Sequence, residues 1–216
     1  MFFKTTSMFR VVASTLAVAG LLFLTACGDE PKPAETKAEK KKKGPVIPTG
    51  PITALTAYYE MYKVARNEAP DIQVASLTGN DVEGTKSEEG KYPMWTAVFV
   101  SATKGQAYTY TYSTVEPGRS LRGINSAGSM RWAGANRDAE PFSNSDFSVD
   151  SDAAYKAAFE KAGDWTKKNA DKPITTFALG QSSRFPAPTW YIVWGNAKTG
   201  GFAVFVNAAT GKVLNK

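Results

Sequence analysis

Two aromatic hairpins stand 95 residues apart in this chain, and that spacing limits the folds open to it. Trp95 and Trp190, Pro93 and Pro188, and Gly105 and Gly200 each differ by 95 positions. The later hairpin runs Pro188-Thr189-Trp190-Tyr191-Ile192-Val193-Trp194, turns through Asn196 to Gly201, and returns as Phe202-Ala203-Val204-Phe205-Val206. The earlier one runs from Pro93 to Val100, turns through Thr103 to Gln106, and returns as Tyr108-Thr109-Tyr110-Thr111-Tyr112. β-Branched and aromatic residues bounded by glycine-containing turns signal antiparallel strands. Alternation of Tyr with Thr in the earlier return strand gives it one aromatic face and one threonine face.

An amphipathic pattern precedes each hairpin. Thr53 can cap a helix with Leu55, Tyr58, Tyr59, Tyr62 and Ala65 on its apolar face; Asp150 or Ser151 can cap another with Tyr155, Ala158, Phe159, Ala162 and Trp165 inward. Strands ending at Gly79 and Gly180 follow, 101 apart, the difference being a longer loop from Asn80 to Lys91. Gly118 and Gly211, 93 apart, mark one more turn in each half before a short closing strand. Matching elements at one period argue for a tandem duplication. The order predicts an α+β fold of two tandem units, each one helix packed on an antiparallel sheet of about four strands. These units are expected at 51–122 and 147–216, joined by an Arg- and Gly-rich linker at 123–146.

The first fifty residues read as an address. Lys4 and Arg10 precede an apolar run from Val11 to Phe23, followed by Leu24-Thr25-Ala26-Cys27. A short basic region, an apolar core and small residues before a cleavage point are the marks of a secretory signal, here 1–26. The Leu-x-Ala-Cys stretch resembles the bacterial lipobox, which implies that Cys27 is diacylated, freed by cleavage and acylated again. Cys27 is the single cysteine of the chain, so no intramolecular disulfide competes for it. Several acyl chains, palmitate-like, anchor a protein firmly where one chain does not. By the same resemblance, Gly28 in place of Asp points to the outer membrane, periplasmic face, over the inner membrane. Residues 27–50 combine the lipidated Cys with a tether rich in Pro, Ala, Glu and Lys, too polar to form a core.

With signal and tether removed, the folded part holds 18 basic and 16 acidic residues. That near balance gives no electrostatic support to nucleic-acid binding. Catalysis is poorly supplied as well. The sequence contains no histidine, which excludes Ser-His and Cys-His pairs and the usual zinc ligands, and leaves a Ser-Lys pair only formally open. Asn144-x-Asp146 and Asp150-x-Asp152 offer oxygens, but acids just ahead of a helix are what a cap demands, so no metal is expected. Nor is any other cofactor.

The close of the second half, Val206-Asn207-Ala208-Ala209-Thr210-Gly211-Lys212-Val213-Leu214, resembles the end of a PepSY-type domain, with its helix-then-hairpin order. Asn207 stands where that family carries an acid, and Val115-Glu116-Pro117-Gly118 replaces the Thr-Gly turn in the first half. The resemblance implies a non-catalytic interaction module for a peptidase or peptide, with an envelope protein or peptide as partner. Two sets of candidate binding residues follow. Arg119, Arg122, Arg131 and Trp132, with Arg137, could bind an anion or glycan in a cleft between the repeats; the plainer alternative pairs those arginines with Glu116, Asp138 and Glu140. Tyr191 and Trp194 lie on opposite faces of one strand, so one of them looks away from the helix. Trp95 and Trp190 are expected in the core.

Overall fold

The computed structural model describes residues 46–116, 118, 121–198 and 200–215. The expected signal segment, Cys27, the tether up to residue 45 and Arg119 lie outside them. The chain forms helix α1 (Ala54–Ala65) and strands β1 (Gln73–Asn80), β2 (Met94–Ser101), β3 (Gln106–Ser113) and β4 (Gly123–Arg131). A 3-10 turn at Asn144–Asp146 leads to helix α2 (Ser151–Lys168). Strands β5 (Ile174–Ser182), β6 (Phe185–Asn196), β7 (Gly200–Asn207) and β8 (Val213–Leu214) complete it.

The α+β class is as expected, but the two units of about four strands are joined in a single sheet. All eight strands lie in one antiparallel sheet, ordered β4-β3-β2-β1-β5-β6-β7-β8. Strands β1 and β5 close the seam, with Ser76 opposite Gly180, Leu77 opposite Leu179 and Thr78 opposite Ala178. Held apart, each strand would present a row of unpaired backbone groups beside a leucine; joined, they leave Leu77 and Leu179 at 0% and 1% exposure. The segment expected as a linker also changes character. Its first nine residues are β4, paired along β3 from Gly123 opposite Ser113 to Arg131 opposite Gln106.

Both helices cover the same face. Alternation along the strands turns Trp95, Ala97 and Phe99 of β2, Tyr108, Tyr110 and Tyr112 of β3, and Trp190, Ile192 and Trp194 of β6 toward them. The Trp95 and Trp190 rings meet edge to face at 6.3 Å, with Phe177 and Tyr92 packed around them. One core therefore serves both halves. Each indole donates to a backbone carbonyl at the start of its own helix, Trp95 Nε1 to Ile52 and Trp190 Nε1 to Val149, both at 2.9 Å. Because the sheet supplies most of the bulky rings, α2 approaches it through Ala154, Ala158 and Ala162, while α1 approaches through Ala54, Ala57 and Met61 and adds one buried ring, Tyr58, against Phe99. Tyr59 and Phe159, expected inward, are exposed instead.

The helices meet at their N-termini. Asp150 Oδ1 accepts from the backbone N–H of Leu55 in α1 at 2.9 Å and of Ser151 in α2 at 2.7 Å. Ser151 Oγ accepts from Ala54 N at 2.9 Å. Thr53 occupies the cap position of α1, yet its hydroxyl contacts only Thr56 Oγ1. One carboxylate thus satisfies orphan donors of two helices and faces the positive ends of both dipoles.

Candidate functional site

Helices on one face leave the other face of the sheet open. Across most of it the residues are hydroxylated or β-branched: Thr96 and Val98 on β2, Thr109 and Thr111 on β3, Ser76 and Thr78 on β1, all half-buried. The threonine face expected of β3 is this surface. At the β1–β5 seam the side chains shrink further, to Ala75, Ser76, Ala178 and Gly180, and a groove of about 590 Å³ runs over them.

Aromatic rings build one wall of that groove. Tyr191 on β6 pairs with Phe205 on β7, which places both on the open face. Their rings stack at 5.0 Å and 17°, and Phe185 continues the row, 4.6 Å from Phe205. Arg184, in the tight turn between β5 and β6, lays its guanidinium over Phe185 at 5.2 Å and Phe205 at 5.6 Å. Such contacts are worth about 0.5–1 kcal/mol each at an exposed site and hold the group at the rim.

The second wall comes from the connection between β4 and α2. Phe142 is buried and exchanges two backbone hydrogen bonds with Val74 at the start of β1. Ahead of it, Glu140 N donates to the Gln181 carbonyl, and Ser183 donates to the Arg137 carbonyl through both its N–H and its hydroxyl. These bonds strap residues 137–140 across the β5–β6 turn, and place Arg137, Asp138 and Ala139 along the groove. The Arg137 and Asp138 charges are 3.9 Å apart and fully in solvent, a geometry worth little.

The structure brings together only some of the residues singled out from sequence. Tyr191 is in the groove, 40% exposed, whereas Trp194 lies in the core at 5%. Arg122 is not in the groove: its Nη2 donates to the carbonyls of Ile47 and Pro48 and fixes the N-terminal arm against the sheet. Arg131 is exposed at the end of the edge strand β4, and Trp132 is half-buried where its N–H donates to Gly105 in the β2–β3 turn. No arginine cluster spanning Arg122, Arg131 and Arg137 forms. Among the described residues the alternative set of ion pairs with Glu116 and Glu140 does not form either, and of these groups Arg137 and Asp138 alone are close. Sequence reasoning passed over Arg184, Phe185 and Phe205. Period-2 alternation from Tyr191 puts Phe185 on the same face of β6, and the hairpin register adds Phe205.

Other candidates resolve into structure. Asp146 accepts from Ser143 N in a capping box and Asp150 caps both helices, so two of the carboxylates considered for a cation are engaged as caps. Among the described residues no three acidic or thiol groups gather as metal ligands. A Ser-x-x-Lys spacing does stand in the folded part, at Ser101 to Lys104. Ser101 Oγ donates to Asp71 and accepts from Lys104 N, and the lysine chain is exposed, so no nucleophile–base pair exists there. Burial first, then the Glu68 carboxylate beside it, pushes the Tyr110 hydroxyl up to about 12. That hydroxyl is a buried donor and no base at neutral pH.

No helix among the described residues is long and apolar enough to cross a membrane. Comparison with protein-family models, with curated proteins and with solved structures finds no match to this chain.

Proposed function

We propose that this chain is a non-catalytic binding module of the bacterial envelope, tethered by a lipidated Cys27 and presenting the helix-free face of its sheet to a protein or peptide partner. The observation that carries the reading is the groove at the β1–β5 seam, whose stacked Tyr191, Phe205 and Phe185 remain in contact with water. Exposed aromatic rows of this kind are uncommon on surfaces with no partner and enriched where partners dock. Two PepSY-like copies fused along one sheet account for the repeated Trp-to-carbonyl bonds, at Ile52 and Val149. Asn207 is consistent with that likeness. Its side-chain oxygen accepts from Ala209 N and from both Thr210 N and Oγ1, the work an acid would do in the same turn. A second reading, carriage of a small anionic ligand, is favoured by Arg137 and Arg184 at the groove.

Photo-crosslinking in intact cells tests the first reading. A crosslinking residue at position 191 should yield a discrete adduct, and one at position 159 on the exposed flank of α2 should not. Equal labelling from both positions, or none from either, would contradict it. The anchor is tested separately: Cys27→Ser should leave an uncleaved precursor or move the protein to the soluble fraction.

A further inference from the structure

The groove has a chemistry of its own, and it deepens the proposal that the open face binds a partner. Its floor is small, with Ser76 opposite Gly180, so a flat group can settle against the sheet backbone. One wall is a row of rings running from Phe185 through Phe205 to Tyr191, whose 40% exposure leaves ring surface open to the groove. Arg184 sits at the Phe185 end of this row, held by ring faces and paired with no acid among the described residues. Across from it Arg137 and Asp138 nearly cancel. The charged groups lining the groove therefore sum to one positive charge, carried by the guanidinium that lies beside the rings.

From this arrangement we infer that the groove binds an aromatic ring bearing a single nearby carboxylate, the ring packing along the row beside Tyr191 and Phe205 and the carboxylate meeting Arg184, whose guanidinium lies 5.6 Å from the Phe205 ring. A guanidinium matches a carboxylate through two parallel N–H donors and loses little entropy when it is already laid on an aromatic surface. One net positive charge suits a monoanion, whereas a phosphate dianion or a polyanion would leave charge uncompensated beside Asp138. The volume, about 590 Å³, is within the range of small-ligand sites. The same chemistry occurs in a free aromatic acid and at the C-terminus of a peptide ending in an aromatic residue.

Titration calorimetry on the full chain in detergent distinguishes these sources and tests the site. The probes are N-acetylphenylalanine, acetyl-Gly-Gly-Phe as the free acid, and acetyl-Gly-Gly-Phe amide. The acids should bind saturably and the amide about tenfold more weakly or worse, a difference of about 1.4 kcal/mol. Tighter binding of the peptide acid assigns the source to a chain terminus; equal binding assigns it to a free acid. Arg184→Gln and Tyr191→Ala, both at exposed positions, should each weaken the acids at least severalfold while lowering the melting temperature by no more than about 5 °C, and Arg131→Gln should change nothing. Acid and amide binding alike, no saturable binding at millimolar probe, or wild-type affinity in the Arg184 and Tyr191 variants would each overturn the inference. Such a failure would leave a crosslink at position 191 unaffected, so it is separable from failure of the broader reading.

Discussion

At the scale of single residues, Asp150 does more than its neighbours suggest. Its carboxylate serves the first turns of two helices from opposite halves, while the nominal cap of α1, Thr53, serves none. A single cap is worth about 1 kcal/mol, so Asp150→Ala should cost about 2 kcal/mol in urea unfolding, and Thr53→Ala less than about 0.5 kcal/mol. Equal losses would show that the double cap contributes nothing. Asp71 makes a different prediction. Its carboxylate accepts from Ser101 Oγ at 2.6 Å, Thr103 N at 2.9 Å and Thr103 Oγ1 at 2.8 Å, tying the exit of α1 to the β2–β3 turn. Those donors, Ser101 foremost, lower its pKa from 3.8 to about 2. A depressed folded pKa contributes stability above about pH 4 and loses it as the pH falls through about 2. Asp71→Asn should flatten the melting temperature against pH across that window; a slope identical to the native one would refute the assignment.

At the scale of elements, the hairpins were legible because alternation over seven or eight residues leaves little choice of face. The helix faces were read less well. Tyr59 and Phe159 look inward on size alone, but the sheet already fills the core with Trp95, Trp190 and three tyrosines. Alanines fill most of the space between helix and sheet, Tyr58 and Met61 are the large helical side chains fully buried there, and Tyr59 and Phe159 lie on the flank. Strand β4 was hidden for another reason. Its central and final residues are exposed, and Gly128, at φ 97°, lies beside an irregularity in the pairing with β3, so no apolar alternation marks it. The pairing of the two tryptophans gives a measurable consequence. Trp95→Ala and Trp190→Ala should each cost about 3–5 kcal/mol. Because the rings touch, the double variant should depart from the sum of the two; strict additivity in chemical denaturation would mean two independent cores.

At the scale of the whole molecule, the groove exists because the halves are fused. Its floor comes from both β1 and β5, one wall from β6 and β7, and the other from the connection that begins beyond β4. No single stretch of sequence contains it, which is why Tyr191 could be picked out and Arg184, Phe185 and Phe205 were not. Arg122 and Arg131 illustrate the converse. They crowd together in sequence, yet one end of β4 is fixed to Ile47 and Pro48 while the other reaches the β2–β3 turn. Nine extended residues separate the two arginines by roughly 30 Å at strand rise.

Hydrogen exchange on the full chain, resolved by residue, addresses the seam itself. With one sheet, the seam-facing amides of Ser76–Thr78 and Ala178–Gly180 should open only with global unfolding, and exchange as slowly as those at the centre of β2 and β6. Exchange at those seam-facing amides, alternate residues on each strand, on the timescale of frayed edge strands would mean that the halves are separate sheets, and that the groove between them has no fixed floor.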